Sequence, residues 1–126
     1  MDGELFVPRS LKPETGDVVA CGVCSRAAPA DWWTERPDKV LWFADVLLDR
    51  MLAIAKERRL HRLATIDPQG RARFRHDEAA ELAAELAVVQ RECRDLLVSE
   101  CAQRIVARIG DLLAGPETDE LNIEGP

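Results

Sequence analysis

Residues 77–114 carry an apolar stripe at helical spacing over a length that one straight helix in a small domain rarely reaches. The stripe has about one apolar residue per turn: Leu82, Leu86, Val89, Cys93, Leu97, Cys101, Ile105, Ile109 and Leu112. From Val89 onward the steps are mostly four residues, and repeated steps of four drift around a straight helix. The sequence therefore predicts a helical stretch that breaks near Ser99 and ends at Gly115-Pro116.

A second apolar segment, Val40–Ala55, is interrupted by Asp45, Asp49 and Arg50. A membrane-spanning helix needs about 20 apolar residues with few charges, so this segment does not qualify. We assign it instead to a helix from Asp38 to Arg59 whose polar residues share one side. A helix this apolar is expected at the centre of the core.

The segment between these helices predicts a β-hairpin. Its strands are residues 60–67 and 71–75, joined by Asp67-Pro68-Gln69-Gly70, a sequence that suits a type I turn. In the second strand alternation directs Phe74 inward. The opposite face of that strand carries three bases: Arg71, Arg73 and Arg75.

The two ends of the chain are less regular. Residues 1–37 predict a loop-rich lobe with short strands at Leu5–Val7 and Asp17–Val23. The acidic tail, residues 116–126, is either disordered or contributes a short strand at Leu121–Ile123.

Together these patterns predict an α+β fold in one domain, residues 1–126. Two or three helices would pack on a small antiparallel β-hairpin, and the helix–hairpin–helix core would span residues 38–115. We expect seven side chains to be buried: Leu41, Leu48, Leu52, Phe74, Leu82, Leu86 and Ile105.

The charge of the chain restricts the class of partner. The 126 residues carry a formal net charge of −6, whereas nucleic-acid binding needs a positive surface. The acidic first residues lack the positive charge and apolar run of a secretory signal. With 14 Arg against 3 Lys, the composition is typical of a bacterial protein, which we expect to be cytoplasmic with no membrane association.

Cys21 and Cys24 form the one formal motif, a Cys-x-x-Cys pair that can bind zinc or act in redox chemistry. A second such pair is absent, and Cys93 and Cys101 lie eight residues apart, about 12 Å along a helix. We therefore expect two ordinary small residues in a turn at the end of a strand, and no stoichiometric zinc. A zinc- or thiol-dependent protein stays as an alternative.

Two sets of charged residues, one of arginines and one of aspartates, suggest other binding or catalytic sites. Arg71, Arg73 and Arg75 could form a phosphate- or nucleotide-binding face, although no interleaved aromatic residues would stack on bases. The simpler interpretation is a solvated face whose arginines pair with acids of the last helix or the tail. Asp45 and Asp49, one helical turn apart, lack a recognisable His or Glu partner for acid–base or metal chemistry.

Neighbours in an extended segment face opposite ways, so one of the adjacent Trp32 and Trp33 is expected to be exposed, and exposed tryptophans are enriched at binding surfaces. The alternative is that both indoles pack across the start of the first helix. No catalytic motif is present. The main hypothesis is a non-enzymatic protein-binding module, such as an immunity or antitoxin-like neutraliser or a small regulatory subunit. Its partner would be a basic protein, contacted through the tryptophans and through Asp45 and Asp49.

Overall fold

The computed structural model describes residues 18–125, so the predicted strand at Leu5–Val7 lies outside the described residues. In that range four strands and four helices follow one another, which confirms the α+β class. The strands are β1 (Val18–Ser25), β2 (Val40–Ala44), β3 (Arg71–Phe74) and β4 (Asp119–Glu124). The helices are α1 (Asp45–Arg58), α2 (His61–Ala64), α3 (His76–Glu92) and α4 (Leu96–Ala114). Short 3₁₀ turns lie at Trp32–Thr34 and Pro37–Lys39.

The strands form one antiparallel sheet in the order β2-β1-β4-β3. The acidic tail therefore supplies an inner strand, and of the two alternatives for the tail the strand is confirmed and extended to Asp119–Glu124. Leu121 and Ile123 point into the core, whereas Asn122 points to the other side of the sheet. Pairing with β1 and β3 satisfies the backbone of β4 along both edges.

The helices cover one face of the sheet, which we call the inner face. Strand β1 contributes alternate residues to it, Val19, Cys21 and Val23, which pack with apolar side chains of α1, α3 and α4. The seven side chains predicted to be buried are all buried: Leu41, Leu48, Leu52, Phe74, Leu82, Leu86 and Ile105.

The predicted helix start at Asp38 is wrong, because Val40–Ala44 forms strand β2 and α1 begins at Asp45. Short apolar runs rich in β-branched and aromatic residues fit a buried strand as well as a helix, and periodicity alone cannot separate the two. Pairing with β1 places Phe43 on the inner face and Trp42 on the opposite one, so both faces of β2 are buried.

The predicted hairpin is also wrong in its first strand. Residues 61–64 form α2, and the backbone N–H groups of Arg62 and Leu63 donate to the carboxylate of Glu85 at 3.0 and 2.7 Å. The turn forms as expected, with Gly70 N donating to Asp67 O at 3.1 Å. The strand that follows it, β3, pairs with β4 instead of residues 60–67.

The predicted break in the last helical stretch exists, but it lies at residues 93–95 and not near Ser99. Asp95 determines its position, because the Asp95 side chain accepts hydrogen bonds from Leu97 N at 3.0 Å and Val98 N at 3.4 Å. This is the N-cap geometry that begins a new helix.

Candidate functional site

The face of the sheet opposite the helices, here the outer face, is apolar at one edge and charged at the other. One row of paired residues runs across all four strands: Trp42, Ala20, Glu124 and Arg71. The next row contains Val40, Gly22, Asn122 and Arg73. Because Ala20 and Gly22 have small side chains, the outer face has a shallow depression over β1, between the indole of Trp42 and the long side chains of β4 and β3.

Trp32 packs on this outer face with the apolar residues of β1 and β2. Its side chain is buried, at 1% exposure, and its Nε1 donates a hydrogen bond to Glu124 Oε1 at 2.9 Å. The Arg71 guanidinium carbon lies 6.0 Å from the centre of the Trp32 ring, a cation–π distance. Trp32 is therefore part of the interior.

Trp33 is partly exposed beside this cluster. Its ring packs edge to face on Trp32 at 6.0 Å and on Trp42 at 6.3 Å between ring centres. Of the two adjacent tryptophans, Trp32 is therefore buried, whereas Trp33 is partly exposed to solvent. Edge-to-face contacts on two sides hold the Trp33 ring in a defined orientation.

The loop that carries these tryptophans, residues 26–39, is tied to the sheet by polar contacts, and we call it the covering loop. Glu35 accepts from Ser25 N at 2.8 Å and from Ser25 Oγ at 2.9 Å. Arg36 donates two hydrogen bonds to Asp119, at 2.8 and 3.2 Å, and this contact raises the pKa of Arg36. These contacts attach the second half of the covering loop to the end of β1 through Glu35 and to the start of β4 through Arg36.

Arg71 and Arg73 lie together on the outer face, as the alternation predicted. Arg71 Nε donates to Asn122 Oδ1 at 2.6 Å, and Arg73 Nε donates to Glu120 Oε1 at 2.5 Å. Arg75 lies beyond β3, as the N-cap residue of α3, and lines a groove with Arg26, whose carbonyl accepts from Arg73 Nη2 at 2.9 Å. The two outer-face arginines are matched by polar groups of β4, the segment predicted as an acidic tail.

Cys21 and Cys24 lie on opposite faces of β1, so the structure does not bring their thiols together. Burial raises the pKa of Cys21 to about 12 and that of Cys24 to about 11, with Arg71 partly opposing the second shift. Cys24 Sγ lies 2.9 Å from Asn122 Nδ2, which donates to it. Within residues 18–125 no cluster of three His, Cys, Asp or Glu side chains is placed to hold a metal ion.

Asp45 and Asp49 lie one turn apart at the start of α1, with Val46 between them at 37% exposure. Within residues 18–125 neither carboxylate has an ion pair or hydrogen-bond partner for its side chain. Asp45 directly follows β2, about 10 Å along the chain from the Trp42 that contacts Trp33. Trp33 lies beside the outer face, whereas α1 packs on the inner face, and no contact within residues 18–125 joins the indole to either carboxylate. We use the name acidic–aromatic site for these two exposed groups together, Trp33 on one side and Asp45, Val46 and Asp49 on the other.

Sequence reasoning missed the roles of Asn122 and Glu124. Asn122 is fully buried and joins Cys24 to Arg71, while Glu124 binds the Trp32 indole. The signal was the strict alternation of polar and apolar residues from Glu120 to Glu124, which is typical of a strand with two different faces.

Comparison of the chain with protein-family models, with curated proteins and with solved structures gave no significant match. The function therefore has to be argued from the residues themselves. No helix within residues 18–125 has the length and apolar character needed to cross a bilayer. The longest, α4, carries Glu100, Arg104, Arg108 and Asp111 along its length.

Proposed function

We propose that this chain is a non-enzymatic protein-binding module that neutralises or regulates a basic protein partner, as an immunity or antitoxin-like protein does. The observation that carries the proposal is the acidic–aromatic site. It combines two carboxylates that have no partner within residues 18–125, an exposed Val46 between them and a partly exposed Trp33 held by its neighbours.

The two carboxylates differ from many other acids in having no cation paired with them among the residues that the structure describes. Asp119 pairs with Arg36, Glu120 with Arg73 and Asp95 with Arg50, at distances between 2.5 and 2.8 Å. The carboxylates of Asp45 and Asp49 therefore face outwards without a cation of residues 18–125 beside them. Together with the net charge of −6, they would steer a basic surface towards α1.

Trp33 supplies the apolar half of the contact. A partner that buries an aromatic ring gains most when the ring is already ordered, because less conformational entropy is lost on binding. The edge-to-face contacts with Trp32 and Trp42 provide that order.

The alternative functions have less support from the geometry. A phosphate or nucleotide on the Arg71 and Arg73 face would meet guanidinium groups whose Nε atoms already donate to Asn122 and Glu120, at 2.6 and 2.5 Å, and the Glu120 carboxylate beside them would repel an anion. A zinc or redox site would have to join thiols that lie on opposite faces of β1.

The test is to capture the partner with the immobilised protein, purify it and compare the wild-type chain with three variants. Trp33→Ala should weaken binding by about 30-fold or more, the effect of removing a hot-spot residue, with a smaller loss of stability than Trp32→Ala. Glu57→Gln changes another exposed acid of α1 and should leave affinity unchanged. Wild-type affinity in Trp33→Ala, once the folded fraction is counted, would remove the basis of the proposal.

A further inference from the structure

The linker between α3 and α4, residues 93–95, lies beside α1 and determines where α4 begins. Its backbone is extended at its first and last residues. Before the linker, Glu92 pairs with Arg58 at 2.8 Å, near the end of α1. At its last residue, Asp95 pairs with Arg50 at 2.6 Å, in the first half of α1. The linker therefore runs antiparallel to α1, and α4 begins level with the first half of that helix.

Leu96, the first residue of α4, is the most exposed large apolar side chain of residues 18–125, at 83%. The buried stripe of α4 starts two residues later, at Val98, so the core does not require an apolar residue at this position. Because the linker runs towards the start of α1, Leu96 comes level with Val46, which is 37% exposed and lies one helical turn from Arg50. Two exposed apolar side chains from different helices therefore lie at the same level of α1.

Two carboxylates border this apolar pair, and we call Asp45, Val46, Asp49 and Leu96 the α1–α4 patch. The start of α1 carries roughly half a positive charge, which Asp45 in its first turn more than offsets. Asp49 lies beyond the first turn, so the patch keeps a surplus of about one and a half negative charges. The Asp95 carboxylate adds little to this surplus, because Arg50 pairs with it.

The charge of the patch decides between two kinds of occupant. A second copy of the chain would bring the carboxylates of both copies towards each other, and like charges facing across an interface disfavour association. The exposed base Arg94 does not offset them, because it lines a groove with Ile54 and Glu57, further along α1. A partner surface with cations beside apolar side chains complements the patch in both respects.

We propose that the α1–α4 patch binds an amphipathic basic segment of the partner, with Leu96 as the apolar anchor. Lysine or arginine side chains of the segment pair with Asp45 and Asp49, while its apolar side chains cover Leu96 and Val46. Amphipathic segments that lay their apolar side on a partner are a common mode of recognition. The inference rests on the proposed function and deepens it, because Trp33, beside the outer face, supplies no apolar contact next to these carboxylates.

The test uses a short labelled peptide of leucine and lysine, patterned as an amphipathic helix, whose binding is followed by fluorescence anisotropy at fixed ionic strength. A control peptide has serine in place of leucine and the same charge. We expect the leucine peptide to bind the wild-type chain more tightly by about tenfold or more, which burial of a single leucine side chain already accounts for.

Three variants locate the binding surface. Leu96→Ser should raise the Kd of the leucine peptide by about tenfold or more and leave that of the serine peptide unchanged. Asp45→Asn/Asp49→Asn should weaken both peptides, because it removes the charges that they share as partners. Leu113→Ser is the matched control: Leu113 is also exposed, at 45%, but lies about 25 Å further along α4, so this variant should bind as wild type does. Circular dichroism shows that each variant is folded.

Two results would overturn the proposal. One is equal binding of the leucine peptide to Leu96→Ser and to the wild-type chain. The other is self-association of the free chain that Leu96→Ser abolishes, measured by sedimentation equilibrium, because it would assign the patch to a second copy. The peptide stands in for the captured partner, so the two proposals fail separately. A peptide indifferent to Leu96→Ser removes the α1–α4 patch alone, whereas wild-type partner affinity in Trp33→Ala removes the basis of the proposed function.

Discussion

The two faces of the sheet are built from the same strands but are stabilised differently. The inner face joins 25 buried residues in one continuous apolar core with the helices, whereas the outer face has a cluster of six. The outer face instead buries the polar side chains of Glu120 and Asn122. The comparison indicates that burial on the inner face supplies most of the stability, while hydrogen bonds on the outer face determine where the covering loop and its tryptophans lie.

This difference has a physical cause. Apolar burial is non-directional and grows with area, so the larger inner face dominates the free energy of unfolding. A buried hydrogen bond contributes little net stability, but leaving one of its partners unsatisfied costs more. The hydrogen bond from Trp32 to Glu124 therefore acts mainly by making other positions of the covering loop unfavourable, because they would leave a buried polar group without a partner.

The largest effect should come from the inner face. Leu48→Ala removes a side chain that is 1% exposed in the main core, and we expect a loss of about 2–5 kcal/mol in the free energy of unfolding. Urea denaturation followed by circular dichroism measures it. An unchanged midpoint would show that α1 does not pack as described.

A pH effect on the inner face follows from the Cys21 thiol. Its pKa is raised from 9.0 to about 12 by burial, so between these values the unfolded chain loses a proton that the folded chain keeps. Stability should therefore fall as pH rises above about 9, by about 2–3 kcal/mol from this thiol at pH 11. In Cys21→Ala the loss between pH 8 and pH 11 should shrink by that amount, whereas Cys93→Ala should behave as wild type.

The outer face should respond when its central polar residue, Asn122, is replaced by an apolar one. Asn122→Leu keeps similar bulk but leaves Arg71 Nε and the Cys24 thiol without their partner, at a cost of about 1–3 kcal/mol. Thermal unfolding measures this loss. A stabilised Asn122→Leu variant would mean that the outer face behaves like the inner one and the comparison fails.

A smaller effect is expected from the hydrogen bond of the covering loop. Trp32→Phe keeps an aromatic ring but removes the Nε1 donor to Glu124, so stability should fall by about 1 kcal/mol. The emission of the remaining tryptophans, Trp33 and Trp42, reports the environment of the loop, and we expect it to shift to longer wavelength. Stability and emission equal to those of wild type would indicate that the contact does not hold the loop.

The inner face could be predicted from the sequence because it depends on periodicity. The seven predicted buried side chains lie in helices or strands whose apolar spacing is regular, as at Leu82 and Leu86 of α3. The boundaries of the helices and strands were harder to predict from the sequence. The short apolar run Val40–Ala44 suits either secondary structure, and the choice depends on its pairing with β1, some twenty residues earlier in the chain.

The outer face could not be predicted because its contacts join distant parts of the chain. Trp32 meets Glu124 across 92 residues, and Asn122 meets Cys24 across 98. Local propensity carries no information about such pairs. The alternation of Arg71 and Arg73 was visible in the sequence, but the strand that supplies their partners becomes apparent only once β4 is placed between β1 and β3.

The measurement that tests the proposed function most directly is the association rate of the captured partner at increasing salt. For the wild-type chain the rate should fall steeply, since exposed charges are screened over about 8–10 Å near physiological ionic strength. In Asp45→Asn/Asp49→Asn the association rate at low salt should be lower and its salt dependence weaker. Asp77→Asn removes a carboxylate at the start of α3, away from the site, and should have little effect on the rate. Rates that are indifferent to salt, or that are equal in the double variant and the wild type, would contradict a partner recognised through the acidic–aromatic site.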